Sequence, residues 1–165
     1  TGTNLFAMGL ETGDAPELWN VDYPERIAAN YQSFVDAGSD IILTNTFGGT
    51  HYRLKLHNAA HRVHELNVAG VKIGRKVADN AGRPVIIAGS IGPTGEIPEP
   101  MGSLSHSDAV TAFSEQAHAL KEGGADILWI ETMSSTQESE AAIEGANQTG
   151  LPVIVRTVLI LMADL

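Results

Sequence analysis

The sequence contains no cysteine, so disulfides, thiolate metal sites and a cysteine nucleophile are excluded within these 165 residues. It has no run of ~18 consecutive apolar residues, and no segment is expected to cross a membrane as a helix. The opening Thr1-Gly2-Thr3-Asn4-Leu5 carries neither a basic region nor an apolar one. No secretory signal is read there, and a cytoplasmic location is expected. Basic residues are scarce: ten Lys and Arg stand against twenty Asp and Glu, a formal charge of -10. Such a field repels a polyanion, which excludes DNA and RNA as expected partners. Neither sign of charge is gathered into a tail.

Hydrophobic residues make up 43% of the chain, enough for one domain with a core of its own. Two segments share a pattern. Asp36-Ala37-Gly38-Ser39-Asp40-Ile41-Ile42-Leu43 and Glu122-Gly123-Gly124-Ala125-Asp126-Ile127-Leu128-Trp129 each hold a helix end, a glycine, a small residue, an aspartate and an apolar run. Glycine just past a helix admits the left-handed closing conformation. The short apolar run suits a strand buried on both faces. These are expected to be two copies of one helix-to-strand joint.

The remaining pattern alternates in the same way. Residues 24–37 predict a helix opened by Pro24, with Ile27, Tyr31, Phe34 and Val35 on one face. Strand 41–44 follows, then a long helix over 54–80 with Leu56, Ala60, Val63, Asn67, Val71, Gly74 and Ala78 as its stripe. Strand 85–88 comes next. Ser107 is expected to cap a helix running to Glu122, with Val110, Phe113, Ala117 and Leu120 facing inward. Strand 127–130, helix 136–147 and strand 153–155 close the pattern. Alternating helices and strands predict a parallel sheet. Four strands are about half of a closed eight-stranded barrel, which takes ~250 residues. An open doubly wound sheet also fits this length. Residues 156–165 read as an atypical apolar tail, and the organised domain is placed at 1–155.

In parallel α/β folds, functional groups collect where the strands end. Those positions hold Thr44-Asn45-Thr46-Phe47, then Gly89-Ser90-Ile91-Gly92-Pro93-Thr94-Gly95, then Glu131-Thr132. A carboxylate at the mouth of a buried strand is poorly solvated and calls for a cationic partner. The amino group of a substrate would serve, as would a structural ion pair. The Gly89–Gly95 segment has neither phosphate-loop spacing, so its glycines are read as letting backbone pass close to a neighbour. The stretch on to Ser105 is expected to lie as a loop over the mouth. His57, His61 and His64, at i, i+4 and i+7, would share one helical arc. They are read mainly as a solvated flank, with a metal-binding module as a minor alternative.

Four stretches together resemble the homocysteine S-methyltransferase family: Gly2-Thr3; Asp40-Ile41-Ile42-Leu43-Thr44-Asn45-Thr46-Phe47-Gly48-Gly49; Ala88-Gly89-Ser90-Ile91-Gly92-Pro93-Thr94-Gly95; and Glu131-Thr132-Met133. Gly13-Asp14-Ala15-Pro16-Glu17-Leu18-Trp19-Asn20 and Arg53-Leu54-Lys55-Leu56-His57 resemble the bacterial betaine–homocysteine branch. The homocysteine module of cobalamin-dependent methionine synthase is also similar. The resemblance implies a (β/α)8 TIM barrel, here about its N-terminal half. It implies methyl transfer from betaine or a similar donor to the homocysteine thiol, forming methionine. It further implies a zinc ion, held by three cysteine thiolates, that binds the homocysteine sulfur. By the same resemblance Glu131 would hold the homocysteine amino group, while Gly2, Thr3, Asn45, Thr46 and Ser90 would orient the amino acid.

The chain departs from the family at three places. It begins after the family's opening aspartate, it lacks the zinc cysteines, and its apolar tail from Arg156 differs from the family's continuation. The expectation is therefore a chain that binds no zinc, is catalytically inactive alone, and self-associates through an uncovered core. A non-catalytic half barrel acting through association is the competing reading from a different class.

Overall fold

The computed structural model describes residues 2–157. A short helix α1 (Gly2–Ala7), a 3-10 turn (Pro16–Leu18) and a short helix α2 (Trp19–Asp22) lead into α3 (Pro24–Asp36). Then come β1 (Ile41–Leu43), α4 (His51–Leu54), α5 (Val63–Asp79), β2 (Ile86–Ile91), α6 (His106–Gly123), β3 (Ile127–Met133), α7 (Thr136–Asn147) and β4 (Val153–Thr157). The four strands pair in parallel in the order β1-β2-β3-β4, with register Ile42 to Ile87, Ser90 to Trp129, and Trp129 to Ile154. Among the described residues no helix is long and apolar enough to cross a membrane.

Both copies of the repeated joint are present. Gly38 (φ 91°) and Gly124 (φ 99°) take the left-handed conformation. In each copy the next N–H reaches back to a carbonyl five residues earlier: Ser39 to Phe34 at 3.0 Å and Ala125 to Leu120 at 3.1 Å. The following aspartates anchor the strand starts. Asp40 pairs with Arg83 at 3.0 Å; Asp126 pairs with Arg75 at 2.9 Å and accepts the Ile87 N–H at 2.7 Å.

Alternation along the strands sorts the two faces. Ile42, Ile87, Leu128 and Ile130 are buried with Tyr31, Phe113 and Leu120 in the core under α3, α5, α6 and α7. The opposite face carries Ile41, Ile86 and Ile154, each 36–40% exposed, in register with Ser90, Trp129 and Glu131. The sheet thus aims its potential functional groups away from the helices.

Several sequence expectations need correction. The helix expected over 54–80 is broken. His51–Leu54 ends in a 3-10 turn (Lys55–His57), Asn58 adopts the left-handed conformation at φ 56°, and a second turn (Ala60–Arg62) precedes α5. Asparagine tolerates that conformation better than most residues, so it can stop a helix without a glycine. Leu56 is consequently exposed, not part of the buried stripe. Ser105, not Ser107, caps α6, its Oγ accepting the Asp108 N–H at 3.1 Å. β2 continues to Ile91 and β3 to Met133, because each keeps pairing past its apolar run. β4 continues to Thr157, so Arg156 and Thr157 belong to the sheet and not to a separate tail. Residues 158–165 of that expected tail lie outside the described residues.

Candidate functional site

β3 carries Glu131 out on the open face, next to a register shift at which Thr132 takes a positive φ of 63°. The Glu131 carboxylate is half-buried and accepts the Ser90 hydroxyl at 2.7 Å. Among the described residues no cationic side chain lies within 4.0 Å of it, which disfavours a purely structural ion pair. One neutral donor leaves most of the carboxylate's acceptor sites open.

Ser90 is held rigidly. Its N–H donates to Thr44 Oγ1 at 3.0 Å, and its carbonyl accepts from Thr46 Oγ1 at 2.8 Å. The two threonine hydroxyls meet at 2.6 Å. Behind them Gln116 Nε2 donates to the Thr46 carbonyl at 2.6 Å and to Asn67 Oδ1 at 3.2 Å. Asn67 in turn donates to the carbonyls of Gly49 and Val63 at 2.9 and 2.7 Å. These hydrogen bonds favour one geometry, because breaking any of them leaves a buried polar group unpaired, although Gln116 Oε1 already has no partner among the described residues.

Asn45 faces the other way. Its N–H donates to the buried Tyr31 hydroxyl at 2.6 Å, and its Nδ2 donates to the Pro16 carbonyl and Asn20 Oδ1 at 2.7 and 3.0 Å. None of the described residues hydrogen-bonds its Oδ1. Asn45 and Gly2 both line a cavity of about 200 Å3 between the Pro16–Leu18 turn and the loop after β1. The sequence-derived residues therefore fall into two neighbouring groups. Ser90 and Glu131 touch, with Thr46 fully buried behind them as their support. Gly2 and Asn45 share the cavity, while Thr3 is exposed on α1 and does not line it.

The cavity also holds Glu17, Arg53 and His57, none of which the sequence placed among the amino-acid-holding residues. Glu17 is 5% exposed and accepts the Gly48 N–H at 2.6 Å. Burial raises its pKa above the ordinary carboxylate range. The Gly48 N–H, the Arg53 guanidinium and His57 pull in the opposite direction. In the sequence Glu17 was marked only by its place in the stretch 13–20 that resembles the betaine–homocysteine branch.

The three histidines do not share a helix. His57 and His61 lie in separate 3-10 turns on either side of Asn58, and His64 bonds Glu122 at 2.9 Å. Among the described residues no group of three or more His, Cys, Asp or Glu is placed to hold a metal. With no cysteine either, the residues present do not fit the three-thiolate zinc centre that the resemblance implies, and no zinc-dependent step follows from them.

Comparison with known proteins agrees with this architecture. The family model described as homocysteine S-methyltransferase matches residues 1–162, which carries the match seven residues past the domain boundary expected at Val155. Methionine synthase of Mycobacterium tuberculosis is 30% identical over 156 residues, covering 89% of this chain and 13% of that protein. Methionine synthase of Mycobacterium leprae is 29% identical over 135 residues, covering 80% and 11%. The metallated crystal form of homocysteine methyltransferase MmuM from Escherichia coli superposes with a TM-score of 0.78 at 23% identity, covering 98% of this chain and 61% of that one. The chain thus spans a small part of the methionine synthases and about three fifths of the solved enzyme, whose fold it shares as a partial TIM barrel. Parallel strands joined by helices, polar groups at the strand ends and a family match over nearly the whole length lead to one assignment: the chain belongs to the homocysteine S-methyltransferase family.

Proposed function

We propose that these residues form the amino-acid-holding part of a homocysteine methyltransferase barrel, with Glu131 receiving the ammonium group of homocysteine. The Ser90–Glu131 pair carries this reading: a half-buried carboxylate at a strand mouth, fixed by one hydroxyl and lacking a cation. A primary ammonium offers three donors and a full charge, which satisfies both deficits. Thr46 and Ser90 hold the carboxylate in place. Asn45 Oδ1 and the backbone at Gly2 and Thr3 are the further groups proposed to orient the amino acid. The reaction is methyl transfer from betaine or a similar donor to the homocysteine thiol, forming methionine. The similarity to the mycobacterial methionine synthases favours a second reading, in which the same amino-acid site serves as one module of a longer methionine synthase-type protein.

The test compares L-homocysteine with 4-mercaptobutanoate, which lacks the α-amino group, by calorimetric titration of the 165-residue chain. The analogue is expected to bind about tenfold or more weakly, the loss of roughly 1.4 kcal/mol or more of charge-assisted hydrogen bonding. Equal affinities would sink the assignment of Glu131.

The 165-residue chain by itself is proposed to be inactive and self-associating. It has no thiolate to activate the substrate, and it exposes Ile41, Ile86 and Ile154 on one face of the sheet. Among the described residues β1 and β4 each also leave an edge unpaired. Purified chain supplied with homocysteine, betaine and zinc is expected to yield no methionine and to scatter light as a dimer or larger. Steady methionine formation would contradict the first part, and a monodisperse monomer the second.

A further inference from the structure

β1 ends at Leu43 while β2 runs on to Ile91, so Ser90 lies beyond the last residue of its neighbouring strand. Side chains replace the missing ladder there: Thr44 Oγ1 accepts the Ser90 N–H, and Thr46 Oγ1 donates to the Ser90 carbonyl. Gln116, fully buried on α6, reaches the same place from the helix layer. Its Nε2 lies 2.6 Å from the Thr46 carbonyl, 3.2 Å from Asn67 Oδ1 and 3.4 Å from the Ser90 carbonyl. Turned over, the amide would set its oxygen against two backbone carbonyl oxygens, so the nitrogen is fixed in this position. Its Oε1 is then buried with no partner among the described residues, which is costly. Gln116 thus gives up one buried acceptor to hold the loop after β1 against the end of β2.

We propose that Gln116 is a positioning residue for ammonium recognition: by clamping the Thr46 and Ser90 carbonyls it fixes the Ser90 hydroxyl, and through that hydroxyl the Glu131 carboxylate. The inference rests on the proposed role of Glu131 and adds a residue buried behind the rim. The path is short, from Gln116 Nε2 to the Ser90 carbonyl, and from Ser90 Oγ to Glu131 Oε1 at 2.7 Å. Glu131 needs such support, because the register of β3 shifts directly after it and Thr132 takes a positive φ. A strand interrupted there holds the glutamate less firmly than an unbroken ladder would. A charge-assisted hydrogen bond requires close, aligned approach, so a carboxylate free to swing binds an ammonium less well. A ligand without the ammonium does not register the difference. Gln116 therefore acts on discrimination between ligands, whereas a residue that only stabilised the fold would affect all ligands alike.

The test is Gln116→Met, which keeps an unbranched side chain of similar size and removes the donor. L-homocysteine and 4-mercaptobutanoate are titrated into the parent 165-residue chain and into the variant. Gln116→Met is expected to weaken homocysteine about fivefold or more and to change the analogue by about twofold or less. Partial unfolding would lower both apparent affinities by one factor and leave their ratio intact, so the ratio reports positioning and not stability. Adding Gln116→Met to Ser90→Ala is expected to leave the ratio where Ser90→Ala alone puts it, because the path through the hydroxyl is already cut. Should Gln116→Met fail to fold, nuclear magnetic resonance of the parent chain carries the test. The Gln116 side-chain amide protons are expected to shift on saturation with homocysteine and to stay in place with 4-mercaptobutanoate. A ratio unchanged by Gln116→Met, an equal loss for both ligands, or amide protons unmoved by homocysteine would overturn the proposal. The two claims separate cleanly. A parent chain that does not prefer homocysteine removes the Glu131 reading and this inference with it; a preference that survives Gln116→Met removes this inference alone.

Discussion

Glu131→Gln is expected to weaken homocysteine binding by about 30- to 100-fold while leaving the fold unchanged. A hydrogen bond to a charged group contributes roughly 1.5–3 kcal/mol, and the open face of the sheet screens it less than bulk water would. At about 1.4 kcal/mol per tenfold, loss of the upper part of that range gives the stated factor. Glutamine still offers an oxygen to the Ser90 hydroxyl, so the clamp from Ser90 back to Thr44 and Thr46 survives. The loss should therefore appear in affinity and not in melting temperature. Calorimetry and thermal denaturation on the same preparation make the comparison. A variant that binds homocysteine as tightly as the parent would remove Glu131 from the site.

Gly49→Ala is expected to destabilise the chain by about 3 kcal/mol or more, although the substitution adds a single methyl group. A Cβ there would stand 2.3 Å from Asn67 Oδ1 and 2.7 Å from Gln116 Nε2. Both side chains are fully buried and already hydrogen-bonded, to the Gly49 and Val63 carbonyls and to the Thr46 carbonyl. Neither can withdraw without orphaning a buried polar group, so the usual relief for an overpacked methyl is closed off. For a domain of this size the cost corresponds to a fall in melting temperature of roughly 6–12 °C. Gln116 also supports the Thr46 carbonyl, so homocysteine affinity should decline with stability. A fall smaller than about 3 °C would show that the cluster is looser than its hydrogen bonds imply.

The architecture was legible where a residue type has few conformational alternatives. Gly38 and Gly124 could be read as the ends of two helices because a left-handed closure favours glycine, and the strands after them followed. The break at Asn58 was not legible. The apolar spacing runs on across it, and periodicity alone cannot register one residue turning left-handed. The cap on α6 shifted by two positions because Ser105 and Ser107 are equally good candidates by type, and only the turn geometry selects the first. At the site, Glu131 and Ser90 could be read from strand ends, because a parallel sheet sends its terminal side chains to one rim. Glu17 could not. Its burial depends on Gly48, 31 residues away, folding over it, which no local pattern encodes. Thr46 was legible as important, but its complete burial and its bond to the Ser90 carbonyl make it a support for the rim.

The most direct test of the central claim combines the two perturbations of the amino-group contact in one cycle. Homocysteine and 4-mercaptobutanoate are each titrated into the parent chain and into Glu131→Gln. If Glu131 holds the amino group, the substitution costs homocysteine about 30-fold or more and costs the analogue almost nothing, a coupling of roughly 2 kcal/mol or more. If Glu131→Gln weakens both ligands equally, or neither, the carboxylate acts elsewhere and the proposed site is wrong.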